Sequence, residues 1–506
     1  MTAVVNHIRR AFYRDSVALM RISRAVSSLP GVTNAALMIG SVTNRKLMRD
    51  AGLLNADGEK AGANDLVFAI GADTAANAAA AMQEAQRLLD APAAAEQGAD
   101  QWHPKSLDTA LQQLPGANLA LISVPGEFAA AEARRALARG LHVMMFSDNV
   151  PIADELALKQ DARQRGLLMM GPDCGTAIIG GVPLAFANVI RRGDIGIVGA
   201  SGTGLQEVST LIARHGGGVS HAIGVGGRDL KQSVGGITTL MAFDALDRDA
   251  GTREIVLISK PPEASVAKIV LDRIAQSRKN VSICFIGVDD MPVPPNARLF
   301  SDLRSTAQNV VPGTRIEWNG PAPRAGELAR RVAPGRARVQ GLFSGGTMCA
   351  EAQVYFRRAG IGVASNVPIP GVPKVSAATT GGHVLLDLGD DEYTVGRPHP
   401  MIDATVRNQL LAQALADDTT AVILLDVVIG YGAHANPAGE LVSALPPAKD
   451  RKAVLITSVC GTEDDPQGYS RQRALLEEAG VIVAPSNAHA AELTIAVLDG
   501  VAQAPG

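Results

Sequence analysis

Two stretches of this chain combine the residue types that hold an anion. In Ile195-Gly-Ile-Val-Gly-Ala-Ser-Gly-Thr-Gly-Leu-Gln-Glu207, a β-branched run breaks at Gly199 into a loop of small residues. Apolar residues then return at Leu205, Val208, Leu211 and Ile212, the spacing of one helix face. A strand, a glycine loop and a helix start aim backbone N–H groups at a phosphate or carboxylate. Ser201, Gly202, Thr203 and Gly204 are the candidate ligands, with glycine allowing close approach and the hydroxyls adding donors or a cap. A tight βα turn with no ligand is the plainer reading of this stretch alone.

The second stretch, Val339-Gln-Gly-Leu-Phe-Ser-Gly-Gly-Thr-Met-Cys-Ala-Glu351, repeats the design. In each copy a Gly-Thr pair is followed by Glu four residues after the Thr: Gly202-Thr203 to Glu207, and Gly346-Thr347 to Glu351. A carboxylate in a first turn also suits the positive end of a helix. The repeat points to two related α/β units and adds Gly345, Gly346 and Thr347 to the candidate anion ligands.

Arg397-Pro-His-Pro-Met-Ile-Asp403 is the most unusual polar segment. Arg397 suits bidentate recognition of a carboxylate or phosphate. His399 can act as general acid or base, or take a phosphoryl group. The bland alternative is a helix start capped by Asp403. His383, His399, Asp390 and Asp391 lack the spacing of a metal site, and none is expected. No GxxxxGK[ST] occurs, which argues against P-loop nucleotide hydrolysis. The Gly199-x-x-Gly202-x-Gly204 pattern lacks a well-placed ribose-binding acid, with only Asp229 on offer behind further glycines, so a nicotinamide dehydrogenase is a weak competitor.

The elements around these loops alternate strand and helix. Hydrophobic residues make up 47% of the 506 and aromatics only 3%, the Ala/Val/Ile/Gly-rich balance of parallel sheets covered on both faces. Net charge is −3 with no basic block, so nothing points to a nucleic-acid or membrane surface. Cys174, Cys284, Cys349 and Cys460 lie far apart, so neither a disulfide framework nor a zinc site is expected. No signal-peptide core or membrane-spanning run is seen, and a cytoplasmic enzyme is expected.

The expected architecture is α/β: several Rossmann- or flavodoxin-like doubly wound parallel-sheet domains behind a small N-terminal α/β sandwich. The sandwich occupies 1–95, with strands at 8–13, 32–39 and 66–70. A low-complexity hinge follows at 91–100, then a Rossmann unit at 117–190 and a second unit at 191–288. Residues 289–338, rich in Pro and Arg, read as a linker, and 339–500 as the last unit. Strand ends in such sheets line the ligand crevice, which makes Pro125, Gly126, Asn149, Cys174 and Gly175 contact candidates by position. For Cys174 the ordinary reading is a small buried hydrophobe.

Met170-Gly-Pro-Asp-Cys-Gly, then Gly193-Asp-Ile-Gly-Ile-Val-Gly-Ala-Ser-Gly-Thr-Gly-Leu-Gln-Glu, then Gly224-Val-Gly-Gly, resembles the α subunit of succinyl-CoA synthetase. Gly345-Gly-Thr-Met and Ala421-Val-Ile-Leu-Leu-Asp-Val-Val-Ile-Gly-Tyr-Gly resemble the flavodoxin-like ligase half of its β subunit. With the Arg397–Asp403 signature, the whole order is similar to the FdrA family. That resemblance implies a CoA-binding-like domain at 117–190, an α-like ligase domain at 191–288 and a second ligase domain at 339–500. It implies CoA contact beside Cys174, phosphoryl binding by Ser201, Gly202 and Thr203 with Glu207 catalytic, and Gly430 and Gly432 at a helix N-terminus. The synthetase's phosphoryl-carrying histidine has no counterpart, since no histidine lies between His221 and His383. An ATP-grasp domain is also missing. The resemblance therefore implies an acyl-CoA ligase handling an acyl phosphate or CoA thioester, in a homo-oligomer or with other enzyme subunits. Its alternatives are a subunit of an oxamate carbamoyltransferase in allantoin and purine degradation, and a non-catalytic metabolite-binding scaffold.

Overall fold

The computed structural model describes residues 3–12, 14, 16–91, 104–311, 320–376, 379, 381–394 and 398–503. Two compact units emerge: Met1–His103 with Asp391–Ile402, and Pro104–Asp390 with Asp403–Gly506.

In the first unit, Leu66–Ala72 is the central strand of an antiparallel sheet, flanked by Ala3–Arg9 and Val32–Ile39. Every residue of Leu66–Ala72 is buried, and Leu37, Phe68 and Ile70 pack with Leu19, Val26 and Ala85 from the helices Ser16–Ser27 and Ala75–Asp90. The first strand lies earlier than the 8–13 run predicts. Its pairing, from Ala3 opposite Ala72 to Arg9 opposite Leu66, ends where the partner strand ends. The stretch 391–402 contributes the short helix Asp391–Thr394 and a turn containing His399.

Among the described residues the second unit carries three sheets. Leu119–Ile122, His142–Met145 and Met169–Met170 form a small parallel sheet in chain order. The largest sheet runs Ala297–Phe300, Asn280–Phe285, Glu254–Ser259, Ile195–Gly199, Val219–Gly224, Thr176–Ile179, Val182–Ala185. Its first five strands are parallel, and the last two form an antiparallel hairpin added at one edge. The third sheet is parallel, in the order Val363–Ser365, His383–Asp387, Arg338–Phe343, Thr420–Val428, Val454–Cys460, Ile482–Ala484. The parallel α/β class is thus as the composition implies.

Two boundaries differ from the sequence reading. The hairpin Thr176–Ile179/Val182–Ala185 pairs with Val219–Gly224, so the large sheet begins before residue 191. An antiparallel edge hairpin has no βαβ period to reveal it. The stretch read as a linker, 289–338, holds the edge strand Ala297–Phe300 and the helices Leu303–Val310 and Ala322–Arg331. Leu303, Ala307 and Val310 are buried in the core with Val208 and Ile212. The prolines at 292, 294 and 295 and the four-residue length of the strand hide the pattern there.

The placement of the two glycine loops follows from topology. Ile195–Gly199 is the first of the five parallel strands, and its successors lie on both sides of it. Arg338–Phe343 is likewise the first and a central strand of its sheet. Each is a switch point, where a crevice opens beyond the strand's C-terminal end.

Candidate functional site at the joint of two helix N-termini

The helix Gly202–Arg214 starts at an N-cap, Ser201, whose Oγ accepts from Gly204 N at 3.1 Å. A side chain at Gly199 would put its Cβ 2.6 Å from Leu205 Cγ, so glycine is what lets strand and helix pack this closely. The helix Gly346–Arg358 starts at Gly345, which has no side chain to cap with. Instead the Asp426 carboxylate accepts from Ser344 N and Gly345 N, both at 2.7 Å.

The two helix starts meet. Ser201 Oγ and Thr347 Oγ1 are directly hydrogen-bonded, and Thr347 N donates to Thr203 Oγ1 at 3.4 Å. A Cβ on Gly345 would lie 3.1 Å from Thr203 Cβ. Two positive helix ends are thereby brought face to face, an arrangement that an anion between them relieves. The amides of Gly202, Thr203 and Gly346 make no hydrogen bond among the described residues.

The two glutamates of the repeat point inward. Glu207 and Glu351 are both buried, and both reach Asn487 at the start of the helix Asn487–Gln503. Glu207 Oε1 accepts from Asn487 N at 3.1 Å, and Glu351 Oε2 accepts from Asn487 Nδ2 at 2.7 Å. Glu351 Oε1 also accepts from Leu303 N at 2.8 Å, capping the helix Leu303–Val310. Burial pushes both carboxyls up, Glu351 to about 8 with Asp302 and Glu207 adding to the effect. These carboxylates hold helix ends behind the joint.

Asp387 and Asp426 stand on the strands either side of Arg338–Phe343. Asp387 Oδ1 accepts from Gly389 N at 2.9 Å, and a Cβ on Gly346 would lie 2.4 Å from Asp387 Oδ2. The Asp387 carboxyl is therefore pressed against the start of the second helix. Burial raises it to about 6, opposed by the charge of Lys260. Lys260, exposed, follows the strand Glu254–Ser259 and acts electrostatically on both Asp387 and Cys349. Burial also raises Asp426, behind which Arg407 donates to the Asp426 carbonyl at 3.2 Å.

The other expected site residues are dispersed. Pro125 and Gly126 begin the helix Gly126–Ala138 at the end of Leu119–Ile122. A Cβ on Gly126 would lie 2.2 Å from Asp148 O, and Cys174 N donates to Met145 O at 3.0 Å. Pro125, Gly126, Asn149 and Cys174 therefore share the C-terminal edge of the small sheet. Cys174 itself is buried, its thiol pushed up to about 12 by desolvation and its Sγ directed at Thr176 O. It is packed as a small hydrophobe. Gly175 joins this edge to the helix pair, since a Cβ on Gly202 would lie 3.9 Å from Gly175 Cα.

Gly430 and Gly432 lie in the loop after Thr420–Val428, ahead of the helix Pro437–Ser443. Gln467 Oε1 takes the Gly430 amide at 3.0 Å, while Phe186 abuts Gly432. Arg397 lies outside the described residues. His399 belongs to the first compact unit. Its Nδ1 accepts from Met401 N at 3.2 Å, leaving Nε2 to carry the ring proton, and burial lowers it to about 4. It is a neutral imidazole at pH 7.

Sequence reading missed Lys260, Asp387, Asp426 and Asn487 as parts of the joint. Lys260 follows and Asp387 closes an apolar strand run at its C-terminal end, which is the signal that marks crevice residues in parallel sheets, while Asp426 interrupts the apolar run Thr420–Val428.

Comparison with known proteins adds the family. The chain is 40% identical to the uncharacterized protein YahF of Escherichia coli (strain K12) over 489 residues, covering 94% of this chain and 95% of YahF. The chain belongs to the FdrA-like, succinyl-CoA synthetase-like family. Residues 342–497 match the CoA-ligase domain family, 191–287 the CoA binding domain, and 1–104 the AllF heavy metal-associated domain. The CoA-ligase match marks an enzyme of ligase type. The CoA-binding match falls on the unit holding the first glycine loop, where the sequence reading expected an α-like ligase domain, and 117–190 lies outside it. Among the described residues no group of three or more His, Cys, Asp or Glu is placed to hold a metal, and no helix is long and apolar enough to cross a membrane.

The FdrA-like chain is also 31% identical over 154 residues to the α subunit of the ADP-forming succinate–CoA ligase of Aquifex aeolicus (strain VF5). That match spans 29% of this chain and 48% of the subunit. Among solved structures, PH0766 from Pyrococcus horikoshii OT3 aligns over 80% of this chain and 88% of its own, with 13% identity and a TM-score of 0.30.

Proposed function

We propose that this protein is an acyl-CoA ligase-like enzyme that moves an acyl group between phosphate and the CoA thiol, with the phosphoryl group seated at the joint of the two helix starts. The observation that carries this reading is the face-to-face meeting of Ser201 and Thr347 at two helix N-termini whose first amides are unspent. Backbone N–H groups of Gly202, Thr203 and Gly346 bind the phosphoryl oxygens, and the hydroxyls of Ser201 and Thr347 can turn toward them. The same donors stabilise negative charge that grows on phosphate as the acyl bond breaks. CoA enters through the domain at 191–287, whose family match supports it. With no histidine between His221 and His383, the route begins from a preformed acyl phosphate.

The test is turnover of the purified chain with CoA and acetyl, succinyl or carbamoyl phosphate, following thioester formation and phosphate release together. CoA-dependent phosphate release matched by thioester is the expected result. Carbamoyl phosphate consumption that needs no CoA would replace this reading with carbamoyl transfer.

A further inference from the structure

We infer that Asp387, pressed against the start of the helix Gly346–Arg358, is the proton-carrying group of the helix joint: neutral it admits the anion, ionised it accepts the nucleophile's proton. This rests on the proposed acyl-phosphate reading and adds the residue that handles the proton.

Geometry makes Asp387 unlike the other acids of the unit. Asp426 spends both carboxylate oxygens on Ser344 N and Gly345 N, and Glu207 and Glu351 are tied to Asn487. Asp387 spends only Oδ1, on Gly389 N. Its Oδ2 makes no hydrogen bond among the described residues, although the residue is only 6% exposed, and it faces the first residue of the helix Gly346–Arg358. Its backbone is held on both sides by the buried Asn366, which accepts from Asp387 N and donates to Asp387 O, each at 2.8 Å. A rigidly placed carboxyl with one open oxygen, beside unspent helix amides, is suited to proton transfer.

The charged groups acting on it are Lys260, which favours the carboxylate, and Asp390 and Asp426, which oppose it, with Arg407 behind Asp426. Burial outweighs Lys260 and holds the carboxyl at about 6, close enough to neutrality for both forms to be used. As the acyl carbon–phosphate oxygen bond breaks, neutral Asp387 gives its proton to the departing phosphate. The carboxylate so formed takes the proton of the CoA thiol as the sulfur–acyl carbon bond forms. Asp387 is thereby neutral again, and the products are thioester and hydrogen phosphate.

Sulfate, a dianion throughout the range, tests the binding half without requiring turnover. In the full chain its affinity should fall roughly tenfold between pH 5 and 7 as Asp387 ionises. Asp387→Asn should bind sulfate with no such pH dependence, and should lower thioester formation by about 10²–10⁴-fold. Lys260→Met, at an exposed position, should weaken sulfate binding and move the pH midpoint upward. An unchanged pH dependence in Asp387→Asn, with sulfate still bound, would overturn this inference and leave the acyl-phosphate reading standing. Failure of the unaltered chain to bind either sulfate or an acyl phosphate would overturn both.

Discussion

The two glycine loops share a sequence pattern yet close their helices by different means. The first is self-sufficient: Ser201 caps its own helix. The second starts at Gly345, has no side-chain cap, and borrows Asp426 from the neighbouring strand, while Asp387 crowds it from the other side. The glutamates diverge as well. Glu207 meets one backbone amide of Asn487, whereas Glu351 meets the Asn487 side chain and a second helix start at Leu303. The copy without its own cap is thus the one surrounded by adjustable acids. The two helix ends therefore differ in support: one carries its own fixed cap, the other is held between titratable acids.

The largest effect expected from breaking this pairing behind the joint is at Asn487. Asn487→Ala removes the donor to Glu351 and leaves a buried carboxyl short of a partner, at a cost of about 2–3 kcal/mol in denaturant unfolding. Asn487→Ala as stable as the parent would show that the two glutamates are not linked through it.

A pH series separates the glutamates further. Glu351 is held above the 4.5 usual for glutamate, at about 8, so its contribution to stability is present below the unfolded value and lost as pH rises through about 8. Glu351→Gln should flatten that loss, gaining on the parent by up to about 3 kcal/mol between pH 5 and 8.5. Parallel stability curves for parent and variant would contradict a neutral Glu351.

At the joint itself, Thr347→Val removes the hydroxyl that meets Ser201 and should weaken sulfate binding about tenfold, a loss of about 1.4 kcal/mol. The smallest effect is expected from Ser201→Ala, which deletes an N-cap and should destabilise the fold by about 1 kcal/mol. A larger loss on chemical unfolding there would mean that the first loop is less self-contained than its hydrogen bonds indicate.

Much of this was legible in the sequence because local pattern and fold agree. The β-branched run before Gly199, the helix-face spacing after it and the repeat at Gly345-Gly346-Thr347 each specify a strand, a turn and a helix. What escaped depends on contacts between distant segments. Asp387 becomes a site residue because its strand lies next to Arg338–Phe343, and Asn487 because its helix starts between Glu207 and Glu351. Neither neighbour is written in local spacing. The edge strand Ala297–Phe300 escaped for the opposite reason, since four residues just after a run of prolines carry too little period to read.

The most direct test of the central claim is a titration of the protein with acetylphosphonate, a stable analogue of an acyl phosphate, in the parent and in Thr347→Val. If the phosphoryl group sits between the two helix starts, the parent binds, sulfate competes, and the variant binds about tenfold more weakly. Equal affinity in the two proteins, or binding that sulfate does not displace, would place the ligand elsewhere and contradict the account.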